Sequence, residues 1–122
     1  MEKLIKIMVV EDEAMNAMYL KMVLTKAGFF IQNIVATGED AISKVYNEKP
    51  DIILMDIRLA GEMDGIEAAI QIKSQTDIPI IFMTGYPDRE HRERAKLVKP
   101  AGYFIKPIPT SDLVSAITNI LL

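Results

Sequence analysis

The sequence predicts a single α/β domain in which a mostly parallel β-sheet lies between layers of helices. Three observations support this prediction. The length of 122 residues suits one domain. Half of the residues are apolar and a quarter are charged, the balance of an ordinary globular protein. Short apolar runs alternate with longer segments of helical spacing, which is typical of repeated strand–helix units. Residues 1–122 are therefore expected to form one domain, without a linker or an internal repeat.

Five short runs rich in β-branched and other apolar residues are the predicted strands. They are Leu4–Val10, Phe29–Ala36, Asp51–Met55, Ile78–Met83 and Ala101–Ile105. The third run lacks alternation between apolar and polar residues. Central strands that helices cover on both faces have this pattern.

The segments between the strands carry helical patterns. The first is expected to place Met15, Met18 and Met22 on its inner side, and the eight methionines are interpreted mainly as core filler. The second opens with Thr37 and Asp40, which resemble a capping box. The last opens with three cap candidates, Thr110, Ser111 and Asp112. It continues with an apolar stripe formed by Leu113, Val114, Ile117, Ile120 and Leu121.

Composition excludes several classes of site and partner. The chain has no cysteine, which excludes disulfides, thiol catalysis and cysteine-ligated zinc. Its single histidine, His91, lies in a mixed-charge run that predicts an exposed helix face. A net charge of −3 favours neither direct nucleic-acid binding nor attraction to an anionic membrane. No apolar stretch is long enough for membrane insertion, and no signal peptide is recognisable, so a cytoplasmic protein is expected.

Short motifs with charged or reactive side chains follow four of the predicted strands. They are Glu11-Asp12-Glu13, Asp56, Thr84-Gly85 and Lys106-Pro107, after the first, third, fourth and fifth strands. In a parallel sheet the carboxyl ends of the strands share one edge, where open α/β folds bind their ligands. We therefore expect these residues to converge on one crevice.

The residue types in this crevice indicate phosphoryl transfer. Glu11, Asp12 and Asp56 would repel one another without a cation, and oxygen ligands suit Mg²⁺ or Mn²⁺. Lys106 supplies a positive charge and Thr84 a hydroxyl donor, both of which stabilise a transferring phosphoryl group. Asp56 stands alone at a strand end and is the best candidate for a nucleophile that forms an aspartyl phosphate.

With these motifs the sequence resembles, over its whole length, the receiver domain of two-component response regulators. Five motifs match in order: Glu11-Asp12, Asp56, Asp64-Gly65, Thr84-Gly85 and Lys106-Pro107. The resemblance implies a flavodoxin-like three-layer sandwich with five helices and strand order 2-1-3-4-5.

The resemblance also implies a role for each residue of the acidic site. Asp56 would be the phosphoacceptor, taking a phosphoryl group from a phosphohistidine of a histidine kinase or phosphotransfer protein. Mg²⁺, or Mn²⁺, would be bound by Asp12, Asp56 and the backbone carbonyl of Arg58, with Glu11 acting through water.

Further roles follow for the residues around the phosphoryl group. Lys106 and the Thr84 hydroxyl would bind its oxygens, and the backbones of Arg58 and Gly85 would contact it. Tyr103 would be the aromatic switch that turns inward as Thr84 moves. The Lys106-Pro107 peptide would be cis.

The family also implies how the signal leaves the domain. The readout surface would be the fourth helix, fifth strand and fifth helix, roughly Pro87–Leu122. It would act on a downstream protein or a fused output domain, and a homodimer could form through it. Such a domain promotes its own phosphorylation and dephosphorylation, and is not a turnover enzyme on external substrates. The stretch from Arg58 to Gly65 is one residue longer than the commonest form and lacks its proline. It resembles the variant in receivers that are attached to or work with sensor kinases.

Three alternatives remain beside the receiver. A haloacid-dehalogenase-type phosphatase also uses an aspartate with Mg²⁺, but it needs a second Asp two residues later, where this chain has Arg58. A flavodoxin-like nucleotide or flavin binder would place a Ser-, Thr- and Gly-rich loop where this chain has Glu11-Asp12-Glu13. A receiver-like scaffold that is never phosphorylated would not need the complete set of site residues.

Overall fold

The described part of the chain, residues 4–86 and 88–122 of a computed structural model, contains five strands and five helices in alternation. The strands are β1 (Lys6–Val10), β2 (Phe30–Val35), β3 (Ile52–Asp56), β4 (Ile80–Thr84) and β5 (Gly102–Ile105). The helices are α1 (Ala14–Lys26), α2 (Gly38–Glu48), α3 (Gly65–Lys73), α4 (Arg89–Lys96) and α5 (Thr110–Leu121). Neighbouring strands pair in parallel in the order β2-β1-β3-β4-β5, which confirms the predicted fold.

Two apolar layers enclose the sheet because successive residues of a strand point to opposite faces. Met8 and Val10 pack with α2, α3 and α4 on one face, and Ile7 and Val9 pack with α1 and α5 on the other. Strands β3 and β4 are buried along their whole length, as the uninterrupted apolar run of the third strand predicts. Full burial of one such aliphatic side chain contributes about 1.5–3 kcal/mol. The core therefore holds the strand ends firmly in place.

Two strand boundaries differ from the prediction in a way that affects the site. Asp56 and Thr84 are the last residues of β3 and β4, where the sequence suggested that each follows its strand. Asp56 pairs with Met83, and Thr84 pairs with Ile105, so both remain within the hydrogen-bonded ladder. Their backbones are accordingly fixed by the sheet.

The orientation of α1 contradicts the prediction from its methionines. Met15, Met18 and Met22 are 85%, 69% and 52% exposed, whereas Ala17 and Leu24 are buried. Apolar residues occur on both sides of this helix, so their spacing does not identify the inner face. The interpretation of the methionines as core filler holds for buried positions in β1, β3 and β4; these are Met8, Met55 and Met83.

The helix caps agree in part with the prediction for α2, where only the Thr37 half of the expected capping box is present, and differ from it for α5. Thr37 caps α2 by accepting a hydrogen bond from the Asp40 N–H at 3.0 Å. The N-cap of α5 is Pro109, and no side chain of the described residues caps this helix. Thr110, Ser111 and Asp112 instead occupy its first turn. Proline presets a backbone φ that suits a chain entering a helix, so a side-chain cap is dispensable here.

A full capping box occurs at α3, in the Asp64-Gly65 motif. The side chain of Asp64 accepts from the Glu67 N–H at 2.8 Å, and the Glu67 side chain accepts from the Asp64 N–H at 3.1 Å. Among the ten elements of residues 4–86 and 88–122, no helix is long and apolar enough to cross a membrane.

Candidate functional site

Three carboxylates meet at the carboxyl edge of the sheet. Glu11 and Asp12 follow β1, and Asp56 ends β3, the neighbouring strand. One carboxylate oxygen from each residue lies within 4.8 Å of the others. Glu11 and Asp56 are buried, and Asp12 is exposed. The parallel pairing of β1 with β3 is what brings together side chains that are 45 positions apart in sequence.

Lys106 joins two of these carboxylates. Its Nζ lies 2.8 Å from Glu11 Oε1 and 2.7 Å from Asp56 Oδ2. Lys106 directly follows β5, and its N–H donates to the carbonyl of Thr84 at 2.8 Å. The Lys106-Pro107 peptide is cis. The lysine is thus held both by the sheet and by the acids that it neutralises.

Burial and charge shift the pKa values of all three groups. Burial raises the pKa of Asp56 to about 6; the hydrogen bond from Lys106 opposes this shift, and the charge of Glu11 adds to it. Burial also raises the pKa of Glu11, but hydrogen bonds from Lys106 and the Glu13 N–H outweigh it, so this pKa lies below its usual value. Burial lowers the pKa of Lys106, but its bonds to the two acids outweigh burial and raise it overall. At neutral pH Asp56 is therefore an ionised carboxylate beside an ammonium group.

The donor set and the charge balance fit a divalent cation. Three carboxylates carry three negative charges and Lys106 carries one positive charge, which leaves the site with a net charge of −2. All the donors are hard oxygens, which suit Mg²⁺ or Mn²⁺. Bringing such a cation near Asp56 would offset the unfavourable burial that raises its pKa.

Thr84 is engaged with its own loop. The residue is 1% exposed. Its hydroxyl accepts a hydrogen bond from the Tyr86 N–H at 3.0 Å and donates to the Tyr86 carbonyl at 3.2 Å. Gly85 lies between them, and a Cβ added there would meet nothing within 4 Å. The glycine is therefore not required by packing within the domain.

Gly65 explains physically why the Asp64-Gly65 motif belongs to this site. A Cβ at Gly65 would overlap the backbone carbonyl oxygen of Asp56. The Gly65 N–H donates to the Ile57 carbonyl at 2.7 Å. Asp64, the cap of α3, also pairs with Arg94 of α4 at 3.0 Å. The motif lets α3 approach the end of β3 and connects that point to α4.

Tyr103 is turned towards the core. Its ring packs edge-on against Phe82, with centroids 6.5 Å apart, and the Arg92 guanidinium lies 5.7 Å from the ring. Its buried hydroxyl has no hydrogen-bond partner among residues 4–86 and 88–122. Burial raises the pKa of this phenol, although Arg92 opposes the shift.

One contact of the site was not identified from the sequence. The Arg58 guanidinium lies over the ring of Tyr86, with Cζ 3.8 Å from the ring centroid. From the sequence, Arg58 is expected to have only a backbone role, and no role is expected for Tyr86. The two residues follow adjacent strands, β3 and β4, which is the signal that pairs them.

A groove of about 490 Å³ reaches the site from the side of α1. Its lining comes from α1, from the segment after β5 and from the site itself; the residues are Glu11, Asn16, Tyr19, Leu20, Met83, Lys106, Pro107 and Ile108. The groove gives a ligand access to Lys106, which contacts Asp56, and to Glu11, which lies beside it.

Comparison with known proteins decides the family. The response regulator receiver domain matches residues 7–118. This chain belongs to that family. Receiver domains of two-component response regulators interact with histidine kinases and output domains, and they are generally not turnover enzymes. The alternatives of a dehalogenase-type phosphatase and a receiver-like scaffold are not favoured.

Individual relatives support the assignment. The transcriptional regulatory protein PdtaR of Mycobacterium tuberculosis is 34% identical over 112 residues, which cover 92% of this receiver and 54% of PdtaR. The chain thus spans about half the length of the curated relatives it matches. The signal receiver domain of a modulated diguanylate cyclase from Desulfovibrio desulfuricans G20 superimposes with a TM-score of 0.92 at 34% identity, covering 98% of this chain and 94% of that one.

A second solved structure gives the same result. It is the N-terminal domain of a response regulator/sensory box/GGDEF three-domain protein from Carboxydothermus hydrogenoformans. Its TM-score is 0.86 at 33% identity, with 95% of this chain and 93% of that one covered.

Proposed function

We propose that this receiver accepts a phosphoryl group on Asp56, in a Mg²⁺-dependent reaction, from the phosphohistidine of a histidine kinase or phosphotransfer protein. The observation that carries the proposal is the pairing of the buried Asp56 carboxylate with Lys106 at 2.7 Å, beside Glu11 and Asp12. With a pKa of about 6, Asp56 is ionised at neutral pH and available as a nucleophile.

The transfer would exchange one bond to phosphorus for another. A carboxylate oxygen of Asp56 forms the new P–O bond while the P–N bond of the phosphohistidine breaks, and the imidazole nitrogen keeps the electron pair. Lys106 is placed to pair with the phosphoryl oxygens, since its ammonium already contacts Asp56. The Thr84 hydroxyl and the backbone N–H of Gly85 would donate to other oxygens.

Magnesium would bind beside this centre through the acids and one carbonyl. We assign Asp12, Asp56 and the backbone carbonyl of Arg58 as protein ligands, with Glu11 acting through water. Bound Mg²⁺ would neutralise charge on the phosphoryl oxygens. The same residues would promote loss of the phosphoryl group to water, so that the domain controls its own phosphorylation in both directions.

The signal would leave through α4, β5 and α5. The movement of Thr84 towards the phosphoryl group would be sensed by Tyr103 of β5, whose ring packs edge-on against Phe82 of β4. Leu97 and Ile105 are exposed on this surface and are available to a downstream protein, a fused output domain or a second receiver in a homodimer. Pro87, included in the expected surface, lies outside the described residues.

The protein donor would approach along α1. The exposed apolar residues of this helix are Met15, Met18, Tyr19 and Met22, and Tyr19 also lines the groove that leads to Lys106. An apolar helix face continuous with the phosphoacceptor site suits a protein donor better than a small molecule. Met18→Glu should therefore slow transfer from the phosphorylated kinase and leave labelling by phosphoramidate unchanged; equal effects on both donors would contradict this.

The experiment that tests the function is labelling by phosphoramidate with Mg²⁺. Intact-mass measurement should find one addition of about 80 Da (HPO₃), sensitive to hydroxylamine as an acyl phosphate is. Asp56→Asn should abolish it. Asp51→Asn removes a carboxylate before the opposite end of the same strand and should be labelled like the wild type. A label that persists in Asp56→Asn would refute the assignment.

A further inference from the structure

The loop after β4 contains a series of contacts that the proposed transfer does not use. The Thr84 hydroxyl bonds to both the N–H and the carbonyl of Tyr86. The Tyr86 ring in turn lies against the Arg58 guanidinium at 3.8 Å. Arg58 comes two residues after Asp56. These contacts join the hydroxyl that would bind the phosphoryl group to the loop that follows the phosphoacceptor.

The hydroxyl of Thr84 cannot donate to the Tyr86 carbonyl and to a phosphoryl oxygen at the same time. A hydroxyl has one hydrogen to donate, and that hydrogen is directed at the Tyr86 carbonyl, 3.2 Å away. To donate to a phosphoryl oxygen on Asp56, it must leave this carbonyl. Thr84 is buried, and its hydroxyl is held between the N–H and the carbonyl of Tyr86, a carbonyl that also accepts from the Asp88 N–H at 2.8 Å. Whatever holds Tyr86 in place therefore opposes the exchange.

We infer that Tyr86, held by Arg58, is a positioning residue that retains the Thr84 hydroxyl on its own loop and so weakens phosphoryl binding at Asp56. The inference rests on the proposed phosphoacceptor function. A ligand shifts an equilibrium only through its different interactions with the two states. The stack of Arg58 on Tyr86 supplies such a difference, since it anchors the backbone that competes for the Thr84 hydroxyl.

The side chains of the stack can be changed without disturbing the core. Tyr86 is 53% exposed and Arg58 is also exposed. Tyr86→Ala removes the ring and keeps the backbone groups that bond to Thr84. Tyr86→Phe keeps the ring and removes only the phenol, which makes it the matched control.

Titration of the Mg²⁺-saturated protein with beryllium fluoride, a non-covalent phosphoryl analogue, measures the effect directly. Amide chemical shifts give the dissociation constant. Exposed cation–π contacts correspond to about a two- to fivefold change in an equilibrium constant. Tyr86→Ala should therefore bind the analogue about two- to fivefold more tightly than the wild type, and Tyr86→Phe should match the wild type.

A second set of variants separates positioning from a merely structural role. In a Thr84→Ala background the hydroxyl is absent, so Tyr86→Ala should no longer change the affinity. Arg58→Gln should tighten binding in the Thr84 protein, and adding Tyr86→Ala to it should add little. These two results are expected only if the stack acts through the Thr84 hydroxyl.

The outcomes distinguish this inference from the function on which it rests. Equal affinity of the wild type and Tyr86→Ala would overturn the inference alone, as would the same gain in the Thr84→Ala background. A folded wild type that binds no beryllium fluoride in the presence of Mg²⁺ would overturn both.

Discussion

Asp56 is a carboxylate that the fold places at the end of a buried strand, and its environment is unfavourable to charge. Burial raises its pKa from 3.8 to about 6, even though Lys106 lies 2.7 Å away. The same burial keeps bulk water from competing with Lys106 and Thr84 for a phosphoryl group. Burial of Asp56 therefore both supports the reactivity of the site and lowers the stability of the folded protein.

Replacing this carboxylate should stabilise the metal-free protein in a pH-dependent way. The pKa of Asp56 is higher in the folded state, so between pH 3.8 and about 6 the folded protein binds more protons than the unfolded chain and loses stability as the pH rises. A shift of this size corresponds to roughly 3 kcal/mol at most, and Asp56→Asn should recover about 1–2 kcal/mol, because Asn pairs less well with Lys106. Urea denaturation should give a clearly larger gain at pH 7.5 than at pH 4.5, where only about a third of the penalty is present. Equal gains at both values would contradict the assigned shift.

Tyr103 offers a second test at the scale of a single group. Its buried hydroxyl has no partner among the described residues, and an unpaired buried hydroxyl costs about 1–3 kcal/mol. Tyr103→Phe keeps the edge-on contact with Phe82 and should raise the free energy of unfolding by about 1 kcal/mol in urea denaturation. Tyr46→Phe, at an exposed tyrosine on α2, is the control and should change it by less than about 0.5 kcal/mol. A loss of stability in Tyr103→Phe would mean that the hydroxyl is paired in solution.

The elements are arranged so that helix ends meet the strand ends that carry the site. The N-terminus of α3 approaches β3 closely enough that only glycine fits at position 65. The capping box of Asp64 and Glu67 then fixes the first turn of α3, and Arg94 connects it to α4. Asp56 is therefore connected to α3 by a close backbone approach and, through the ion pair of Asp64 with Arg94, to α4.

Gly65→Ala should test this close approach. The added Cβ would overlap the Asp56 carbonyl, and relieving such a clash costs about 1–3 kcal/mol, or more where backbone must move. We expect Gly65→Ala to lower the melting temperature by at least several degrees. Gly85→Ala is the matched control, since a Cβ there meets nothing within 4 Å, and its melting temperature should change little. Similar melting temperatures for both variants and the wild type would show that α3 does not pack this tightly.

The proposed Mg²⁺ site is formed by residues from distant parts of the chain, so metal binding would be coupled to folding of the whole molecule. Glu11, Asp12 and Asp56 come together only when β1 and β3 are paired, so the proposed Mg²⁺ site does not exist in the unfolded chain. Binding to the folded state alone stabilises it by RT ln(1 + [Mg²⁺]/Kd).

Magnesium should therefore raise the melting temperature of the wild type. At a concentration of 100 Kd the gain is about 2.7 kcal/mol, which corresponds to several degrees for a domain of this size. Asp12→Asn should respond much less, because it loses a proposed ligand. Asp40→Asn, at an exposed acid on α2, should respond like the wild type. The measurement is a thermal melt with and without MgCl₂ at matched ionic strength. Equal shifts of the melting temperature in all three proteins would contradict the proposed site.

The sequence by itself determined the sheet and the edge at which its reactive residues meet. Uninterrupted β-branched runs such as Asp51–Met55 have few alternatives to a central strand, and parallel strands necessarily bring their carboxyl ends to one edge. Asp56, Thr84 and Lys106 were therefore predictable as neighbours before any coordinates. The strand order and the individual roles depended on the family resemblance, because residue spacing alone does not specify them.

Only the tertiary structure decided which groups contact one another and which faces are covered. Met15 and Ala17 of α1 are equally compatible with a helix, and only packing against β2 and α5 shows that Ala17 is inside. The stack of Arg58 on Tyr86 and the bond of Thr84 to the Tyr86 backbone likewise depend on how two loops meet. The periodicity of apolar residues indicates how a segment folds locally, whereas burial, contacts and pKa values depend on the other segments that pack against it.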